Sequence, residues 1–301
     1  MLLTSPLALG LFNKAIIESG GGRGHSRFLS SGLPGGQVSG EAIGVQFAKS
    51  AGISGEGKEA LDALRKFPAE AFVGTSTCRL PGRLYAGPMI DGKLVLADAS
   101  KVYLAGQARK VPLLIGANSA DAGGVAGTDT ETLFASFGQD RSSAEQAYNP
   151  SHSISFPVLR LAIGGDRGMI EPARFVARFL ADNGSPVYEY RFSYVADYMR
   201  SKWTGAPHAT EIPFVFDTVK TRYEAATTAS DEKTGEAMLS YWVSFAKTGS
   251  PIVSRLPTWP AFTAENDTLM DFTADGPVAK PDPSKARLDV TAIYVSSHPA
   301  R

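Results

Sequence analysis

The stretch "VPLLIGANSADAGG" (residues 111–124) decides the fold class. Its first part, residues 111–115, is an unbroken apolar run with a proline near its start. Such a run predicts a strand that is buried on both faces, as strands are in a parallel sheet. Asn118, Ser119 and Asp121 follow within six residues of its end. In open α/β sheets, ligands and catalytic groups gather at the carboxyl ends of the strands, so we expect a functional loop here.

Strand and helix patterns alternate along the rest of the chain. Strands are predicted at residues 15–18 and at residues 186–195, where four aromatic residues alternate with other side chains. Amphipathic helices are predicted after a capping serine at Ser39, at residues 171–184 and at residues 234–249. This alternation predicts an α/β protein in which helices flank a mostly parallel sheet. No linker divides residues 1–301, so we expect a single domain.

The bulk composition argues against several classes of protein. The chain has 301 residues, of which 43% are hydrophobic, so it can build a substantial core. Its 30 basic and 30 acidic residues balance, which argues against a nucleic-acid partner and gives no support for a membrane-surface partner. The apolar run at residues 1–12 is too short to span a bilayer. The single cysteine, Cys78, excludes an intrachain disulfide and a cysteine-based zinc site.

One of the four histidines has an informative setting. His208 lies in "WTGAPHATEIPFVF" (residues 203–216), a turn-rich approach that leads into Glu211 and an apolar run. A histidine on a loop after a strand can act as a general base, but a structural histidine bonded to a loop carbonyl fits the same pattern. Asp121 is likewise either the partner that orients a histidine or a capping residue of a turn or helix. The other histidines are His25, His152 and His298.

Five regions of the sequence carry a specific resemblance when they are taken in order. They are "SPLALGLFNKAIIESGG" (5–21), "GPMIDGKLV" (87–95), "VPLLIGANSADAGG" (111–124), "GAPHATEIPFVF" (205–216), and "YWVSFAKTGSP" with "PTWPAFT" (241–251 and 257–263). Together they resemble the type-B carboxylesterases, the family of the para-nitrobenzyl esterases and the cholinesterases. The resemblance implies the C-terminal portion of an α/β-hydrolase fold. It also implies a carboxylic-ester hydrolase that acts on a small-molecule ester and needs no metal or organic cofactor.

The resemblance assigns roles to three residues. His208 becomes the base of the catalytic triad. Asp121 becomes the acid, at a position where the family usually has glutamate, and triads of this fold accept either acid. Ser19 resembles a serine that hydrogen-bonds the acid in some relatives.

The nucleophile is expected outside this chain. In the family it lies on a G-x-S-x-G elbow upstream of the segment at residues 5–21, and the sequence contains no G-x-S-x-G. We expect the elbow, the oxyanion loop and the N-terminal strands to belong to a complementary N-terminal segment, without which activity is doubtful and an apolar sheet edge is exposed. The substrate pockets are expected to draw on residues 38–74 and on loops around residues 134–157.

Two alternatives stay open at this point. The chain could be a non-catalytic binding or adhesion protein on the hydrolase fold, since this family includes members that lack the triad. It could instead have a rescued active site, in which Ser19 or Ser119 approaches His208 and acts as the nucleophile. Neither serine sits on an elbow, which makes the rescued site the weaker hypothesis.

Overall fold

A mostly parallel sheet forms the centre of the protein. In spatial order its strands are β1 (Ala15–Glu18), β4 (Leu113–Asn118), β5 (Val187–Phe192), β6 (Thr268–Thr273) and β7 (Gly276–Pro281), and a separate short pair is formed by β2 (Arg27–Phe28) and β3 (Met89–Ile90). All neighbours in the large sheet run parallel except β6 and β7, which are antiparallel. The structure is a computed structural model that describes residues 1–24, 26–30, 38–70, 87–263, 265 and 267–297.

The described residues also form α-helices. They are α1 (Gly40–Ser50), α2 (Lys58–Lys66), α3 (Ala99–Leu104), α4 (Thr130–Ala135), α5 (Arg141–Tyr148), α6 (Phe156–Gly165), α7 (Glu171–Asp182), α8 (Ile212–Val215), α9 (Val219–Tyr223), α10 (Ala229–Thr248) and α11 (Lys285–Ser297). A single π-helical turn, Asp166–Ile170, joins α6 to α7. Within the described residues, no helix is long and apolar enough to cross a membrane.

The observed bounds of β4, an interior strand of the sheet, differ from the predicted ones. The apolar run predicts a strand at residues 111–115, whereas β4 spans Leu113–Asn118. Leu113 pairs with Val187 of β5 and with Ala15 of β1, and every residue of β4 is buried. The parallel pairing on both sides therefore carries the strand past the apolar run, so that Asn118 ends the strand and does not belong to the loop.

The helix ends follow the predicted signals closely in two cases. Ser39 caps α1, since its Oγ accepts a hydrogen bond from the Ala42 amide at 3.1 Å. Helix α10 ends at Gly249, whose φ of +83° is the left-handed conformation typical of a glycine stop. Its start is earlier than predicted, because Thr228 caps the helix in front of Ala229 and forms a capping box with Asp231 in the first turn.

The expectation of loops around residues 134–157 is wrong. This region is largely helical, since it contains the end of α4, all of α5 and the start of α6. Leu133, Ala144 and Ile163 from these helices form a separate apolar core with Val290 of α11. The helices were missed because each is short and polar residues separate them, so the sequence shows no long amphipathic pattern.

The sheet is covered on both faces, as the continuous apolar pattern of β4 predicts. Leu114 packs into a core with Tyr241 and Trp242 of α10. Leu113 and Ile115 point the other way and share a core with α7 residues, among them Val176. Helices on opposite faces of a parallel sheet leave the carboxyl ends of its strands open. Asp121 follows β4 at that end of the sheet.

Candidate active site

The Asp121 carboxylate is fully buried and accepts four hydrogen bonds. Its Oδ2 accepts from the Asn118 amide at 2.8 Å and from Ser19 Oγ at 2.5 Å. Its Oδ1 accepts from the Ala122 amide at 2.7 Å and lies 2.6 Å from His208 Nδ1. The exposed fraction of Asp121 is 0%. A buried carboxylate with donors on every side keeps one orientation, so the direction of its contact with the imidazole is fixed.

Close backbone packing holds the loop that carries Asp121. A Cβ at Gly123 would lie 1.7 Å from the carbonyl oxygen of Gly164, and one at Gly165 would lie 2.8 Å from that of Asp121. The loop therefore rests directly on the end of α6 and the π-helical turn that follows it. Such turns are common at functional sites, where they adjust the path of a helix. Here the turn lets Gly168 lie against the Ala122 carbonyl.

His208 reaches Asp121 from a loop that is 87 residues further along the chain. The isolated bridge between Ala120 and Pro207 joins the two loops, with a hydrogen bond from the Ala120 amide to the Ala206 carbonyl at 3.0 Å. His208 Nδ1 faces the buried carboxylate, while 47% of its side chain is exposed. The contact at Nδ1 thus orients the imidazole, while other parts of the side chain are exposed to solvent.

Ser19 lies on the far side of the carboxylate from His208. It follows β1 directly, its amide donates to the Gly116 carbonyl at 2.9 Å, and its φ is +53°. A positive φ is unusual for serine, and here it turns the hydroxyl toward Asp121 Oδ2. The structure thus brings together the three residues that the sequence pointed to, with Ser19 against the acid rather than against the imidazole.

The contacts of the two serines do not favour the rescued active site. Ser19 Oγ donates to Asp121, and Ser119 Oγ accepts from the Ala206 amide at 3.0 Å. A serine nucleophile needs to hydrogen-bond the base, which in this hypothesis is His208. Neither hydroxyl makes that bond among the described residues.

Asn118 and Glu211 also belong to the site. The sequence places Asn118 in the expected functional loop without a specific role, and it assigns no role to Glu211. Asn118 Nδ2 donates to the Pro207 carbonyl at 2.6 Å and to Glu211 Oε2 at 2.5 Å. These bonds tie the end of β4 to both sides of His208 in the chain. Burial raises the pKa of the Glu211 carboxyl, although the bond from Asn118 opposes that effect. The sequence feature that could have pointed to Glu211 is its position three residues after His208 in the motif at residues 205–216.

Acidic groups line the inner side of the site. Glu18, at the end of β1, accepts a hydrogen bond from Trp242 Nε1 at 2.6 Å, and burial raises its pKa. The Tyr190 phenol is buried nearby, and its pKa is raised by burial and by the charges of Glu18, Glu211 and Asp121.

The other residues singled out in the sequence lie elsewhere. His152 follows α5 on the surface, with a φ of +52°. His25, His298 and Cys78 lie outside the described residues, as do residues 71–74 of the region expected to line the substrate pockets. Among the described residues, no three histidine, cysteine, aspartate or glutamate side chains are grouped so as to hold a metal ion.

Comparison with curated proteins finds esterases. The model of the carboxylesterase family matches residues 1–155 and 160–290. The fumonisin B1 esterase of Sphingopyxis macrogoltabida is 27% identical over 89% of this chain and 50% of its own length. Carboxylesterase 5A of Felis catus is also 27% identical, over 89% of this chain and 52% of its own length. The chain therefore spans about half the length of the curated relatives it matches.

Comparison with solved structures identifies the fold. A PNB esterase superposes with a TM-score of 0.68 at 24% identity, covering 96% of this chain and 60% of that one. This likeness confirms the expected α/β-hydrolase fold, whose mostly parallel sheet and flanking helices are present here. The family match extends over nearly the whole length of the sequence and confirms the resemblance. The chain belongs to the carboxylesterase family.

Proposed function

We propose that this chain supplies the general base and the acid of a serine carboxylic-ester hydrolase. The observation that carries the proposal is the 2.6 Å contact between His208 Nδ1 and the fully buried Asp121 carboxylate. A carboxylate at Nδ1 keeps the proton on that nitrogen, which leaves the lone pair on Nε2 free to accept another. Both residues lie at the carboxyl ends of the parallel strands, where this fold places its catalytic groups.

The reaction proceeds through an acyl-enzyme. His208 Nε2 accepts the hydroxyl proton of a serine as its Oγ attacks the ester carbonyl carbon, and the imidazolium then gives that proton to the departing alkoxide. Water attacks the acyl-serine in the second half, losing a proton to His208, which returns it to the serine Oγ as the carboxylic acid leaves. Asp121 holds the ring throughout, and its carboxylate stabilises the imidazolium that forms in each half of the reaction.

The serine and the oxyanion donors are assigned to a complementary N-terminal segment. This chain has no G-x-S-x-G motif and spans about half the length of its relatives. One described feature supports such a partner. Strand β1 pairs only with β4 among the described strands, and Ile16 on it is 38% exposed. An apolar edge strand of this kind favours pairing with a further strand.

The apolar surface continues from this edge into a cavity. A hollow of about 660 Å³ is lined by apolar residues near the start of the chain, together with Ile16, Ile17 and Tyr103. Leu7, Leu9 and Leu11 beside it are each more than 60% exposed. A contiguous apolar patch of this kind marks an interaction site, and the proposed occupant is the segment that bears the nucleophile.

The test is ester turnover by an extended protein, defined as this chain joined to the N-terminal segment of the family domain that carries the G-x-S-x-G elbow. We expect it to hydrolyse p-nitrophenyl butyrate, and we expect His208→Gln to lower kcat by about 10⁴-fold or more. The surface variant His152→Gln is the matched control and should keep full activity. If the extended protein folds but has no turnover, the proposal is wrong and the alternative of a non-catalytic binding protein gains support.

A further inference from the structure

A second cavity, of about 450 Å³, lies on the Ser19 side of the site. It is distinct from the apolar hollow at the sheet edge, because two arginines, Arg23 and Arg167, are among its lining residues. Glycines form much of the remaining wall, including Gly21, Gly124 and Gly168. Walls without side chains leave the backbone accessible to a small polar ligand.

The cavity is built from the segments that hold the triad acid. Arg23 is four residues beyond Ser19, and Gly124 is three residues beyond Asp121. Gly168 closes one side, where its backbone packs against the Ala122 carbonyl. A ligand in the cavity therefore lies next to the loop that positions Asp121.

Arg167 provides an uncompensated positive charge. Among the described residues, no carboxylate pairs with it, and its only hydrogen bond runs from Nη2 to Ser136 Oγ at 3.0 Å. The guanidinium carbon lies 3.5 Å from the centre of the Tyr294 ring and 4.3 Å from that of Phe137. Two rings hold the planar group in one orientation, and burial lowers its pKa.

Arg23 adds a second cation that is already fixed. Its Nη1 lies 3.1 Å from Glu171 Oε1, its Nη2 donates to Ser296 Oγ at 2.7 Å, and it stacks on Phe175. Only 11% of its side chain is exposed. Glu171 thus pairs with Arg23, whereas Arg167 has no carboxylate partner among the described residues, which leaves one uncompensated guanidinium charge at the cavity. Rigid guanidinium groups are the preferred protein partners of carboxylates.

We propose that this cavity binds the carboxylate of a small organic acid, with Arg167 as the principal cation and Arg23 as the supporting one. Two kinds of ligand carry such a carboxylate. The carboxylate can be a free acid, or it can be a second acid group on the ester substrate, which would then be a monoester of a dicarboxylic acid. The second source rests on the proposed function, whereas binding itself does not.

Binding is tested on the 301-residue chain with glutarate as the probe and glutaramide as its uncharged analogue of similar shape. Calorimetric titration should show glutarate binding that weakens at high salt, and at least tenfold weaker binding of glutaramide. Arg167→Gln should weaken glutarate binding by about tenfold or more, since it removes a charge-assisted contact. The matched control is Arg160→Gln on the exposed side of α6, which should leave the affinity unchanged.

A second variant keeps the proposal testable if Arg167→Gln fails to fold. Arg167→Lys retains the charge but loses the planar group held between the rings, so binding should weaken less than in the glutamine variant. Equal affinities for glutarate and glutaramide, no binding of either, or undiminished binding by folded Arg167→Gln would overturn the proposal. Tighter binding of inorganic phosphate than of glutarate would overturn the assignment to a carboxylate.

The extended protein separates the two sources. If the cavity binds a second acid group of the ester substrate, kcat/KM should be higher for a p-nitrophenyl monoester of glutarate than for p-nitrophenyl butyrate. Arg167→Gln should then lower kcat/KM for the glutarate monoester only. If glutarate binds but both esters react alike, the ligand is a free acid. The calorimetric titration does not depend on turnover, so its result stands even if the proposed esterase function is wrong.

Discussion

Replacing Ser19 with alanine should loosen the anchor of the candidate triad acid. The substitution removes the 2.5 Å hydrogen bond to Asp121 Oδ2 and leaves three donors, the amides of Asn118 and Ala122 and the His208 ring. Hydrogen bonds to charged groups contribute about 1.5–3 kcal/mol each. Because Asp121 is 0% exposed, water cannot replace the lost donor without opening the loop. We therefore expect the free energy of unfolding to fall by about 2 kcal/mol.

A glycine variant separates the hydrogen bond from the backbone conformation. Ser19 has a φ of +53°, which costs alanine and serine alike about 1–2 kcal/mol but costs glycine little. Ser19→Gly should therefore lose the same hydrogen bond and recover part of that strain. The expected order of stability is wild type, then Ser19→Gly, then Ser19→Ala.

Urea unfolding at pH 7, followed by tryptophan fluorescence, measures these differences. Ser153→Ala is the matched control, since the Ser153 hydroxyl bonds only Ser151 on the surface and its loss should change the free energy of unfolding by less than about 0.5 kcal/mol. If Ser19→Ala is as stable as that control, Asp121 does not depend on Ser19 as described. If Ser19→Gly is no more stable than Ser19→Ala, the reasoning about backbone strain is wrong.

Three further predictions test the site and the core. Gly123→Ala places a Cβ 1.7 Å from a backbone carbonyl of α6 and should cost about 3 kcal/mol or more in urea unfolding, whereas Gly124→Ala meets nothing within 4 Å and should cost little. Burial raises the pKa of Glu189 to about 8, so between pH 5 and 8 the folded protein holds a proton that the unfolded chain has lost, and stability falls as pH rises by up to about 1.4 kcal/mol per unit. Glu189→Gln should flatten that slope, and an unchanged slope would contradict the burial argument. Asn118→Leu leaves Glu211 without its donor, so kcat of the extended protein should fall with little change in KM, and an unchanged kcat would mean that Asn118 does not position the loop of His208.

The sheet could be predicted because a strand that is buried on both faces has a continuous apolar run in its sequence. The apolar run before Asn118 identified β4, and the alternating aromatic residues identified β5. Their exact ends could not be predicted, since pairing with β1 and β5 sets the register of β4 and involves residues far away in sequence. The helices α4, α5 and α6 were missed because tertiary packing, not local pattern, makes them stable.

The candidate site was predictable only in part, and for a related reason. Nothing in the local sequence says that His208 lies near Asp121, and the resemblance to a family supplied that pairing. The structure then brings the two within 2.6 Å. The hydrogen bond between Asn118 and Glu211 could not be predicted, because an amide at the end of a strand and a glutamate before an apolar run have ordinary structural explanations. Their contact depends on how the two loops meet.

The central claim is that His208 and Asp121 act as one catalytic unit, and a double-mutant cycle in the extended protein tests it most directly. The measurement is kcat/KM for p-nitrophenyl butyrate in the wild type, His208→Gln, Asp121→Asn and the double variant, each first shown to be folded. Groups that act as a unit give strongly non-additive losses. The account predicts that the double variant is no slower than His208→Gln alone, to within a few-fold. Losses that multiply, or a His208→Gln variant that keeps wild-type turnover, would contradict it.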